Sequence, residues 1–97
     1  MKKIVLDGTD YEVIRDENEG FNSDAISEKY TDYFASYDYI VGDWAYGKLR
    51  LKGFNDKNNK GFKKINDFSL VNEYIDKMCA FGCKWFVLKK TLDKKEK

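Results

Sequence analysis

Residues 37–54 read YDYIVGDWAYGKLRLKGF. Two short apolar runs, each with the two-residue alternation of a strand, flank a turn that carries glycine. Alternation of this kind cannot gather its apolar residues on one stripe of a helix, so the segment commits the chain to a β-hairpin. The first strand covers residues 38–44, with Ile40 and Trp44 on one side and Tyr39 and Val41 on the other. Ala45-Tyr46-Gly47-Lys48 turns the chain. The strand returning over 48–54 points Leu49 and Leu51 one way and Lys48, Arg50, Lys52 and Phe54 the other.

The rest of the chain falls into place around this hairpin. Ile4 to Leu6 and Tyr11 to Arg15 form an N-terminal hairpin, and Asp7-Gly8 suits a tight turn with positive φ. Burial near the middle of the second strand is two-sided, because Val13 is followed directly by Ile14. After an acidic loop at 16–20, Asn22 or Ser23 caps a helix over about 23–36. Its apolar stripe is Ala25, Ile26, Tyr30, Tyr33, Phe34 and Tyr37. Residues 55–64, NDKNNKGFKK, read as a flexible polar loop. Asn66, Asp67 or Ser69 caps a second helix that buries Leu70, Val71, Tyr74, Ile75 and Met78 and stops at Gly82. Residues 83–91 form a last strand, interior to the sheet because Val87 is apolar and central. The order β-β-α-β-β-α-β predicts an α+β fold, a mainly antiparallel sheet with two helices packed on one face. Without the first strand it has the order of the ferredoxin-like plait. An alternative folds the N-terminal hairpin over as a partial second β layer. One domain spans 1–92, and 93–97 form a frayed charged tail.

Composition narrows the chemistry. Histidine is absent, which removes the commonest general base and transition-metal ligand. Cys79 and Cys83 alone do not complete a four-ligand zinc site, and only a site shared across a dimer would accommodate one. Neither a metal nor another cofactor is expected. Lys77 and Lys84 would lower a nearby thiol pKa and make a redox switch, but both cysteines fit better as small buried hydrophobes. The apolar run Ile4-Val5-Leu6 stops at Asp7, short of a secretory core, and no run is long enough to span a membrane. A cytoplasmic protein is expected. Net charge is +1, yet residues 1–46 carry −7, residues 47–65 carry +6 and residues 66–97 carry +2. The basic stretch can attract an anionic partner that the whole chain would not.

The 37–54 segment together with CAFGCKWFVLK near the end resembles the YutD-like family. Tyr11-Glu12-Val13 and Gly20-Phe21-Asn22, which lead into an acidic, aromatic helix, fit as well. The resemblance covers about residues 4–91. Ala45 stands where the family has glycine and Lys48 where it has a neutral polar residue, departures that bear on the turn geometry. The resemblance implies one compact α+β domain of a small cytosolic protein, chiefly from Gram-positive bacteria. It implies no catalytic residues.

The candidate binding site is the basic-aromatic face formed by Trp44, Tyr46, Lys48, Arg50, Lys52 and Phe54. Cations there would hold phosphate or carboxylate and the rings would stack, so the expected partner is RNA or an acidic protein surface. The alternative is a protein–protein module, a monomer or weak homodimer anchored by exposed aromatics. Asp43, between Gly42 and Trp44, would be the acid of a minor enzymatic alternative. A salt bridge from Asp43 to Arg50 across the hairpin is the favoured reading of that carboxylate.

Overall fold

Two left-handed turns hinge the sheet. Asp7 and Gly8 have φ of 54° and 85°, and Tyr46 and Gly47 have 55° and 76°. Positive φ at both central residues matches the twist of paired strands, which is why each turn takes only two residues. Ala45 and Lys48 pair across the second turn, so neither departure from the family pattern disturbs it. The computed structural model describes residues 2–78 and 83–93. Its strands are β1 (Lys3–Leu6), β2 (Thr9–Glu17), β3 (Tyr39–Ala45), β4 (Lys48–Phe54) and β5 (Trp85–Asp93). They form one antiparallel sheet in the order β1-β2-β5-β3-β4. The α+β class holds, and β5 is interior as Val87 implied. The strand order is not that of a ferredoxin-like plait, and the N-terminal hairpin continues the sheet instead of forming a second layer.

The helices do not share a face. Helix α1 (Ser23–Lys29) buries Ile26 in a cluster with Leu6, Tyr11, Val13, Ile40, Leu49, Phe86 and Leu88. Helix α2 (Val71–Met78) buries Ile75 against Tyr39, Val41, Phe54 and Val87. Successive residues of β3 and β5 thus belong to opposite clusters, and the sheet is covered on both sides. Tyr39, Ile40 and Val41 are all buried, as are Phe86, Val87 and Leu88. A strand buried on both faces needs an apolar residue at every position rather than every second one. Alternation along β2 sends Val13 to one cluster and Ile14 to the other, and the pairing with β5 shifts register between Val13 and Arg15.

The first helix is shorter than its apolar stripe suggests. Asn22 caps it, Oδ1 accepting from Ala25 N at 3.0 Å, but the chain extends at Tyr30 and Thr31. Tyr30 turns in against Tyr11, with the rings edge-on and the hydroxyls 3.2 Å apart. That tertiary contact replaces further helical turns, which a seven-residue helix alone stabilises poorly. A 3-10 turn (Asp32–Ser36) follows. Asp67 caps a 3-10 turn (Phe68–Leu70) that leads into α2. The expected stop at Gly82 lies outside the described residues. So does Cys79, while Cys83 is half-buried and is not a free thiol, unlike the buried hydrophobe expected.

Candidate anion-binding cleft

The predicted basic-aromatic face is not one surface. Lys48, Arg50, Lys52 and Phe54 do point to one side of β4, but that side is the one α2 covers. Phe54 is 2% exposed and sits edge-on to Tyr74 of α2. Arg50 Nη2 donates to the carboxylate of Asp43, its cross-strand partner, and to Met78 O at the end of α2 (2.9 Å). The bond to Asp43 raises its pKa further, against the opposing effect of desolvation. Arg50 therefore closes the C-terminus of α2 over a carboxylate that is 1% exposed. Asp43 is buried in an ion pair, out of reach of a substrate, which removes the geometry its enzymatic alternative needed. Trp44 lies on the opposite, α1 side, its Nε1 donating to Gly20 O at 2.8 Å. Tyr46 stands fully exposed at the turn, and Lys48 is exposed at the start of β4. Where α1 and α2 cover β3, β4 and β5, the described residues present no open aromatic sheet face in the manner of an RNA-recognition motif.

Of the six, Trp44 borders one cleft with Glu19, Asn22, Gly47, Cys83 and Lys84, and a second is opened by Lys52. Its ammonium rests 5.1 Å from the ring centroid of Phe54 and 5.9 Å from that of Tyr74. This second cleft, about 570 Å³, lies along the outer edge of β4 and is also lined by Lys60, Lys63, Tyr33, Tyr37 and Ile65. No carboxylate is among its lining residues. Lys52, Lys60 and Lys63 make no ion pair among the described residues.

The loop beyond β4 is built, not flexible. Asn55 is 1% exposed. Its backbone N donates to Asn66 O (2.7 Å), its O accepts from Phe68 N (3.0 Å), and its Oδ1 accepts from Asp38 N (2.9 Å). Asn59 Nδ2 donates to Asn55 Oδ1, Asp38 Oδ1 and Ser36 O within 3.2 Å, and its Oδ1 accepts from Gly61 N. Asn66 accepts from Lys63 N (2.7 Å) and donates to Gly61 O (3.1 Å). These amides do for the loop what a ladder does for a strand, since every buried backbone group needs a partner. Asp38 is turned inward by the same network, accepting also from Asp56 N.

The opposite wall is the 3-10 turn. Lys90 Nζ donates to Ala35 O (2.9 Å) and ties it to β5. The Tyr37 ring lies on Gly53, where a Cβ would come within 2.3 Å of it. The Tyr37 and Tyr33 hydroxyls are 2.9 Å apart, and that bond, more than burial, raises the Tyr37 pKa. Tyr33, expected in the core stripe, is 65% exposed because the chain leaves the helix at Tyr30. Sequence reasoning thus missed Tyr33, Tyr37, Lys60 and Lys63 as site residues. The available signal was the asparagine density of 55–66, which marks side-chain-to-backbone bonding.

A sequence model of the family described as "Putative antitoxin YutD-like" matches residues 5–89. The protein of Bacillus subtilis (strain 168) called "Putative antitoxin YutD" is 44% identical over 87 residues, covering 90% of this chain and 96% of that protein. The solution NMR structure of protein yutD from B. subtilis superimposes with a TM-score of 0.78 at 42% identity, covering 94% of this chain and 83% of that one. The motif resemblance and these matches agree, and the chain belongs to the YutD-like family.

Proposed function

We propose that this chain is a binding domain, not an enzyme, and that it holds an anionic partner, an RNA or an acidic protein surface, in the cleft of Lys52, Lys60 and Lys63. The observation that carries the reading is three lysines lining one concavity with no carboxylate among its lining residues. Such a site raises the local concentration of anions and speeds their association. The name antitoxin, carried by the Bacillus relative, accords with a protein that acts by binding. The reading places the domain in the cytoplasm of a Gram-positive bacterium. Among the described residues, no helix is long and apolar enough to cross a membrane.

A second reading, docking of a protein partner or a second copy, is favoured by Tyr33 and Ile65, 65% and 75% exposed at the same cleft. Exposed rings and aliphatics in a concavity are the usual anchors of protein interfaces.

The test is binding of fluorescent heparin, a polyanion without bases, to the wild type and to a Lys52→Ala/Lys60→Ala/Lys63→Ala variant of equal thermal stability. Salt-sensitive binding that the variant loses supports the anionic reading. Unchanged heparin binding by the variant rejects it. Sedimentation at rising concentration tests the second reading, where self-association insensitive to salt but abolished by Ile65→Ala is the expected result.

A further inference from the structure

The cleft combines its charges with an aromatic platform, and the combination favours one class of anion. Tyr33 exposes its ring beside Lys52, Lys60 and Lys63. It is not a loose side chain. Phe34 meets it edge-on at 5.1 Å, Tyr37 packs against it tilted at 5.4 Å, and its hydroxyl bonds that of Tyr37, whose own ring is seated on Gly53. A ring held this way stacks a partner without first losing much side-chain freedom. Carboxylates gain nothing from a ring face, whereas every nucleobase has a π-face to offer.

The cations suit a flexible, irregular anion. Lysine is a compact, rotatable point charge that meets phosphodiester oxygens at varied positions, while arginine's planar fork favours fixed bidentate recognition of carboxylate or phosphate. The arginine nearest the cleft residues in sequence, Arg50, is spent on Asp43 and Met78. A cleft of about 570 Å³ falls within the size range of small-ligand pockets and admits a nucleotide unit. A duplex keeps its bases stacked on one another and cannot offer one to Tyr33.

We propose that the cleft takes single-stranded nucleic acid, with one base stacked on Tyr33 and the flanking phosphates on Lys52, Lys60 and Lys63. The proposal rests on the anionic reading above and adds the nature of the anion. It requires no reading of base identity, since the loop asparagines that would supply base-edge contacts are engaged in bracing the loop. Binding is therefore tolerant of sequence and sensitive to salt. Three phosphate contacts on a single strand give a slope of about −2 in log affinity against log salt.

The experiment is fluorescence anisotropy with labelled octa-uridylate, octa-deoxyuridylate and heparin, each against wild type, Tyr33→Ala, Tyr33→Phe and the triple lysine variant. Thermal melts confirm that each variant is folded. Tyr33→Ala is expected to weaken both oligonucleotides about 5- to 150-fold, the worth of one stacked base, and to leave heparin within about two-fold. Tyr33→Phe keeps the ring, loses the hydroxyl bond to Tyr37, and is expected to bind as wild type. The triple variant is expected to lose all three ligands together with the salt slope. Preference between the two oligonucleotides names the sugar, and a preference either way supports the proposal. Oligonucleotide affinity unchanged in Tyr33→Ala, or oligonucleotides failing to bind while heparin binds, overturns the proposal and leaves the anionic reading standing. Heparin binding untouched by the triple variant overturns both.

Discussion

Arg50 and Lys52 are two residues apart on one face of one strand, and the fold gives them opposite work. Arg50 is paired with a buried carboxylate and closes the end of α2, while Lys52 sets its ammonium over Phe54 and Tyr74, makes no ion pair among the described residues, and lines the cleft. Removing one partner of a buried ion pair leaves the other charge stranded. Arg50→Ala is therefore expected to cost about 3 kcal/mol or more in urea unfolding, and Lys52→Ala less than about 1 kcal/mol. Equal, small losses would show that the Asp43–Arg50 pair does not hold α2. The alternation that puts both residues on one face was legible in the sequence, as was the cross-strand pairing of Asp43 with Arg50. The covering of that face by α2 was not, because alternation says which residues share a side and not what lies over it.

At the scale of elements, the loop after β4 departs furthest from its sequence reading. A run rich in Asn, Gly and Lys has little to bury, and on composition alone it reads as flexible. It is ordered by amides instead, and it sets Lys60 and Lys63 opposite the tyrosines. Asn55→Ala removes the acceptor of Asp38 N from a buried position, so a loss of about 1–3 kcal/mol is expected, with weaker heparin binding even where the variant remains folded. Native heparin affinity in that variant would mean that the lysines do not depend on the loop's bracing. Gly53→Ala acts on the other wall. The new methyl would overlap the Tyr37 ring, so the ring must move and carry Tyr33 with it. The expected result is oligonucleotide binding weakened as in Tyr33→Ala, with heparin binding kept. For the helix before this wall the sequence offers Asn22 or Ser23 as the cap and an end near 36, whereas Asn22 takes the cap and the helix ends at Lys29. A helical stripe of tyrosines is compatible with burial, and only the Tyr11–Tyr30 contact decides where the helix gives way.

The whole molecule is a sheet between two thin helical layers, and its stability depends on close approach at the centre. A Cβ on Gly42 would lie 2.1 Å from the ring of Phe86, which is fully buried. Gly42→Ala is expected to lower stability by about 1–3 kcal/mol through overpacking, measured as a reduced denaturation midpoint at unchanged slope. Alkaline pH should act globally as well. Burial raises the pKa of Tyr39 and Tyr74, with Asp56 adding to the first and Asp43 to the second, and the bond from Tyr33 raises Tyr37. A phenol with a raised folded-state pKa keeps its proton where the unfolded chain has lost it. Stability is then complete below about pH 10 and falls as pH climbs through the folded-state values. Thermal melts across that range, followed with phenolate absorbance, would show delayed ionisation that coincides with unfolding. An alkaline limb independent of tyrosine ionisation would contradict it. By itself the sequence determined the strands, the two glycine turns, a helix start at Asn22 or Ser23, the α+β class and the family resemblance, because these follow from local periodicity and backbone preference. The apolar runs 39–41 and 85–88 even carried the sign of a sheet covered on both faces, unread because two short helices can also lie side by side. Only the tertiary structure decided which face each helix takes, that Arg50 is structural, and that Lys52 meets Lys60, Lys63 and Tyr33. Those outcomes depend on contacts between residues distant in the chain, where local pattern carries no information about what packs against what.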